Sequence, residues 1–143
     1  FRGKELVGGE GVGERGRDWA IVRLERDVPS DVARPVVRFM AEGLPVGRPI
    51  YVVGYPSGLP VKYAPGAQVR ENNSPDYYVA NLDTFGGNSG SGVFDQATNA
   101  LIGVLVRGET DYVEDGSCTR ANVCPDTGCR GEDVTRLSAV RMP

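Results

Sequence analysis

The stretch Asp83-Thr84-Phe85-Gly86-Gly87-Asn88-Ser89-Gly90-Ser91-Gly92 lies between two apolar runs and consists mostly of small residues. Glycine reaches backbone angles closed to other residues, so the glycines around Ser89 permit a tight turn and let a second backbone approach closely. Such a turn can aim the N–H groups of the Gly87-Asn88-Ser89 backbone, those of Gly87 and Ser89 above all, at one point, forming an oxyanion site. A serine hydroxyl is a poor nucleophile until a neighbouring base takes its proton. The usual base is histidine, and the 143 residues contain none. The stretch therefore reads as a reactive-serine loop belonging to a larger catalytic unit, unless the chain is no conventional serine hydrolase.

The flanking sequence is strand-rich. Ala20–Leu24, Pro49–Tyr55, Asp76–Leu82 and Ala100–Val106 are short runs rich in β-branched or aromatic residues, bounded by Gly, Pro, Asn or Asp. Ser91–Phe94, the turn Asp95–Asn99 and the run from Ala100 predict a hairpin. Val36–Phe39 and Ala67–Arg70 are weaker strand candidates, and Asp133–Val140 reads as either a short closing helix or a last strand. No segment carries a long helical period, and 20 Gly and 10 Pro fall at strand-and-turn spacing. The expected fold class is all-β, a barrel or sandwich. Gly8–Gly13 matches neither a dinucleotide nor a P-loop pattern and is expected to be a flexible turn.

Composition narrows the function. A net charge of -3, with 16 Lys and Arg scattered among 19 acids, gives no general attraction to nucleic acid or anionic membrane. No apolar run approaches the ~20 residues that span a bilayer. Cys118, Cys124 and Cys129 share one stretch, and their odd number suggests one local disulfide plus a thiol paired elsewhere. Zinc would want four Cys or His ligands, commonly in close pairs, so no metal or cofactor is expected.

Gly86-Gly87-Asn88-Ser89-Gly90-Ser91 resembles the active-site signature of the chymotrypsin/trypsin-like serine peptidases, most closely the bacterial branch that includes the glutamyl endopeptidases. Val53-Gly54-Tyr55-Pro56 looks like that family's Gly-Tyr-Pro segment, and Val93-Phe94 with Ile102-Gly103-Val104 resembles its paired strands after the nucleophile. Arg17-Asp18-Trp19-Ala20-Ile21-Val22-Arg23-Leu24 is similar to the segment carrying the triad aspartate. The likeness covers most of residues 17–108.

The resemblance implies an antiparallel β-barrel of the double-barrel fold, with residues 41–143 forming a complete second barrel and residues 1–40 a remnant of the first. It implies Ser89 as nucleophile, Asp18 as the carboxylate orienting the histidine, and Gly87, Asn88 and Ser89 as the oxyanion hole. Asp83 and Thr84 would form the base of the specificity pocket. Leu105, Val106, Arg107 and Gly108 would line the substrate strand, pairing with an extended polypeptide. Leu105 stands where glutamate-cleaving members carry a histidine, so cleavage after Arg or Lys is the expected specificity. In this family the histidine precedes the aspartate, so an N-terminal fragment of the same protease is the expected partner, in a secreted or periplasmic setting. Asn88 stands where the family more often has Asp.

Ser91 is a rival nucleophile, but in the resembled pattern it is the second small residue after it. The Gly-x-Ser-x-Gly elbow of α/β-hydrolases fits poorly, because position 91 is Ser and no helical pattern follows. A protease-like module that binds peptides without cleaving them is the competing reading, and a β-domain with no cleft is a third.

Overall fold

A computed structural model describes residues 1–11, 17–40, 43–125 and 127–141. It is all-β, and among the described residues the only helical pieces are single 3-10 turns at Pro56–Gly58 and Leu137–Ala139. The strands are β1 (Gly3–Glu10), β2 (Trp19–Leu24), β3 (Pro49–Gly54), β4 (Lys62–Glu71), β5 (Tyr77–Ala80), β6 (Gly92–Asp95), β7 (Leu101–Arg107), β8 (Tyr112–Asp115), β9 (Cys118–Ala121) and β10 (Glu132–Arg136). Six of them close an antiparallel barrel in the order β10-β5-β4-β3-β6-β7, while β1-β2 and β8-β9 form separate two-stranded sheets.

The barrel forms because short strands alternate their side chains between its inside and outside. Ile50, Val52, Val69, Tyr78, Val93, Ile102, Leu105 and Val134 meet in its interior, and Leu44 belongs to the same buried cluster. β4 runs through Pro65 and Gly66 by means of a register shift opposite Ile50–Val52, and Gly66 takes φ +86° there. A bulge is where a strand tolerates proline and uses a glycine of positive φ. The β6–β7 turn is held by Asp95, which is 1% exposed and accepts hydrogen bonds from the Ala97 and Thr98 N–H groups, the Thr98 hydroxyl and Arg48. Burial by itself would raise the Asp95 carboxyl, but Arg48 and Thr98 outweigh it and hold it below its ordinary range.

The ribbon β1-β2 is tied to the barrel by polar contacts. The Asp18 N–H donates to Thr135 Oγ1 at 3.1 Å, and that hydroxyl donates back to the Asp18 carbonyl. Arg17 pairs with Glu10 at 2.7 Å and with Asp76 at 3.4 Å. Leu6, Val22 and Leu24 of the ribbon stay exposed, as do Val36 and Val37.

Two expectations need correction. Gly8–Glu10 belong to β1, paired with β2 from Gly8↔Ile21 to Glu10↔Trp19, so they are not a flexible turn; residues 12 and 13 of that call lie outside the described residues. Among the described residues Val36–Phe39 makes a single parallel bridge, Val37 to Leu101. The hairpin β8-β9, residues 112–121, answers to no strand predicted from the sequence. Asp133–Val140 combines both alternatives: the last strand, then a 3-10 turn. Cys124 and Cys129 form a disulfide, and Cys118 is a free, exposed thiol.

Candidate active site

The loop 81–91 links β5 to β6 and is clamped from two sides. The Ser57 N–H donates to the Gly86 carbonyl at 2.7 Å. On the other side Gly90 N–H donates to Leu105 O at 2.7 Å, and Leu105 N–H to Ser91 O at 2.9 Å, fastening the loop to β7. Within it, Asn88 N–H bonds Phe85 O and Ser91 N–H bonds Asn88 O. Gly87 and Gly90 have φ of +94° and +89°, which favours glycine at both positions.

This clamp sets out the chemistry. Ser89 is exposed, and its hydroxyl donates to the Val106 carbonyl at 2.9 Å. The N–H groups of Gly87 and Ser89 have no protein acceptor among the described residues. Asn88 is 5% exposed, and its Oδ1 has no partner among the described residues. A Cβ on Gly54 would fall 2.3 Å from that oxygen and 2.2 Å from Ser91 Oγ, so both side chains pack on the bare α-carbon of Gly54. The Ser91 hydroxyl thus lies against β3, and Ser91 does not line the cavity at Ser89.

That cavity, about 50 Å³, is bordered by Thr84, Asn88, Ser89, Leu105, Arg107 and Gly108, with Glu109, Asp111 and Glu132 also on its wall. A larger one of about 460 Å³ adjoins it and shares Thr84, Phe85, Glu109, Asp111 and Glu132. Asp83 is exposed and lines only the larger cavity. Asp18 lines neither; its backbone sits on Thr135 of β10, which pairs with Val104 of β7. Val106 is buried, and Arg107 is held by Asp133 at 2.8 Å. Glu109, Cys124 and Cys129 come close enough to suggest a metal site, but the two sulfurs are joined in the disulfide and are not available as thiolates.

The acid facing Ser89's cavity that sequence reasoning missed is Glu132. Its carboxylate lies over Gly108, where a Cβ would be 1.6 Å from Oε2. Burial, then Asp111, Asp133 and Glu109, raise the Glu132 carboxyl to about 7, against a hydrogen bond with the Thr84 side chain that lowers it. The folded chain therefore holds this proton where the unfolded chain has released it. Stability from this group is present below pH ~4.5 and declines as pH rises toward 7. In urea titrations Glu132→Gln should gain on the parent protein by about 1–2 kcal/mol between pH 5 and pH 8, screening at a half-exposed group included. A difference that does not change with pH overturns this assignment.

Residues 1–104 match the model of the trypsin-like peptidase domain, and the chain belongs to that family. Among solved structures it is similar to Rv3671c from M. tuberculosis H37Rv, a serine-to-alanine mutant in its inactive form, with a TM-score of 0.58 and 22% identity. The likeness covers 94% of this chain and 60% of that one, so this chain spans under two thirds of its structural neighbour. At that identity it shows the fold alone. No curated protein sequence matches.

Proposed function

We propose that the chain is the reactive-serine part of a trypsin-like serine endopeptidase. The observation that carries this reading is an exposed Ser89 hydroxyl on a turn clamped to β7, beside two N–H groups without protein acceptors. A polypeptide substrate would lie along Val106–Gly108 as an added strand. A histidine from a separate segment takes the Ser89 proton while Oγ attacks the scissile carbonyl. The oxyanion forms against the N–H groups of Gly87 and Ser89. As it collapses, the amine leaves with the proton the histidine returns, and water then releases the acyl group by the same steps in reverse. Asp18 orients that histidine. Removing one oxyanion donor in such a site typically costs about 2.7–4 kcal/mol of barrier.

The partner in this reading is the histidine-bearing N-terminal segment of the same protease. The edges of β1-β2, unpaired among the described residues, and the exposed Leu6, Val22 and Val37 fit strands of a first barrel laid against them. Within the family, the Ser89 motif keeps its likeness to the bacterial branch with the glutamyl endopeptidases, while Leu105 and the acids around the cavity support a basic specificity. No helix among the described residues is long and apolar enough to cross a membrane. The Cys124–Cys129 disulfide supports an oxidising compartment, secreted or periplasmic.

The second reading is a peptide-binding module without catalysis. It is favoured by the lack of histidine and by the engagement of the Ser89 hydroxyl with Val106. An organophosphonate probe followed by mass spectrometry separates the two. Ser89 should be labelled when the chain is combined with the upstream segment, and not when it is alone. No labelling in the combination, with peptide binding retained, favours the module; labelling of Ser91 overturns the choice of nucleophile.

A further inference from the structure

We propose that Glu132 of β10 is the specificity-determining carboxylate, pairing with an arginine or lysine side chain at the substrate residue whose carbonyl Ser89 attacks. The inference rests on the peptidase reading above and assigns its pocket to a residue other than Asp83.

The first argument is position. Glu132 and Ser89 border the same cavity, and Asp83 does not. β10 carries Glu132 to the β7 wall: Asp133 pairs with Arg107, the register shifts at the next step, and the Glu132 carboxylate comes to rest on the Cα of Gly108. A side chain at position 108 has no room, so a substrate side chain entering past Gly108 comes up against this carboxylate.

The second argument is charge. Among the described residues Glu132 has no cationic partner, because the two nearby guanidiniums, Arg107 and Arg130, both bind Asp133, at 2.8 and 2.5 Å. A carboxylate removed from water without a counter-charge is costly, and the cost is relieved by a cation. The groups facing it are Asp111 and Glu109 from the segment after β7, Asp133 from β10 and the Thr84 side chain from the serine loop, so the surroundings add negative charge. An acidic substrate side chain would be repelled, and an apolar one would leave the carboxylate dry and unpaired.

The third argument is room. The cavity at Ser89, about 50 Å³, is too small for a whole arginine side chain. Glu132, Glu109, Asp111, Thr84 and Phe85 also border the 460 Å³ cavity behind it, which extends the space where a long cationic side chain needs it.

Benzamidinium, an aryl cation of arginine-like chemistry, tests this on the chain itself and needs no histidine. Titrations at pH 8, followed through the amide resonances of Gly108 and Ser89, should show saturable binding, and neutral benzyl alcohol should bind far less. Glu132→Gln should weaken benzamidinium binding about 10–100-fold, the range of a hydrogen bond to a charged group. Glu132→Asp should keep part of the affinity, which a merely structural role would not predict. Asp83→Asn should have the smaller effect. Binding should weaken as pH falls from 8 through about 7, where the Glu132 carboxyl takes up its proton. Absence of binding, equal binding of the neutral compound, or a larger loss in Asp83→Asn than in Glu132→Gln overturns the proposal. The outcome is separable from the peptidase reading: Ser89 labelling without benzamidinium binding sinks this inference alone, and Glu132-dependent binding without labelling sinks the catalytic reading alone.

Discussion

Replacing Ser89 with alanine should lower peptide hydrolysis by the assembled, histidine-bearing protein about 10⁴–10⁶-fold while leaving the fold intact. The large effect follows from the roles in the proposed reaction. Without Oγ no acyl-enzyme forms, and only binding and the oxyanion donors remain to help water attack. The small structural cost follows from the surroundings: Ser89 is exposed, and its hydroxyl makes one hydrogen bond, to Val106 O at 2.9 Å. Losing it should cost on the order of 1 kcal/mol or less in a urea titration. Ser91→Ala should stay within a few-fold of the parent in kcat/KM, because the Ser91 hydroxyl packs on Gly54. Activity in Ser89→Ala above one hundredth of the parent's would remove Ser89 from the mechanism.

Replacing Asp133 with alanine should destabilise the folded chain by about 2–4 kcal/mol, measured as a shift in the urea midpoint. Its side chain is 2% exposed and carries two arginines, Arg107 of β7 and Arg130 ahead of β10. Breaking a buried pair from one side usually costs about 3–5 kcal/mol, because a charge is left without a partner. Here the stranded charges are guanidiniums exposed by 41% and 45%, and water recovers part of the loss. The asymmetry is itself a check. Arg107→Ala and Arg130→Ala should each cost less than Asp133→Ala, since the carboxylate keeps its other partner in both. Equal losses in all three would mean that Asp133 is not the hub.

The strands that fill the barrel were readable because their apolar residues are contiguous and bounded by turn residues, as in Ile50–Val53 and Leu101–Val106. The turn glycines around Ser89 were readable for the same kind of local reason, since Gly87 and Gly90 carry the positive φ their type suggests. What failed depended on distant partners. Gly8–Glu10 looks like a turn in isolation and becomes strand because Ile21, Ala20 and Trp19 pair with it. Val36–Phe39 has strand composition, but it meets the barrel at Leu101 alone. The hairpin β8-β9 has no buried face to impose an alternating pattern; Val113 is its only residue that is not fully exposed. Glu132 gives no local sign of its place. Only the pairing of β10 with β7 brings it onto Gly108.

A closed ring of strands offers nothing for a stray chain to zip onto, whereas a ribbon of two offers both its margins. The β8-β9 hairpin is short and guarded by Glu114, Asp115 and Arg120, so stacking between copies has its natural starting point at β1-β2, where Leu6, Val22 and Leu24 face solvent. Any association between copies of the chain should therefore start at that ribbon, and sedimentation velocity of the parent protein against Val22→Lys checks it. A lysine at position 22 is a rational way to keep it soluble without touching the barrel.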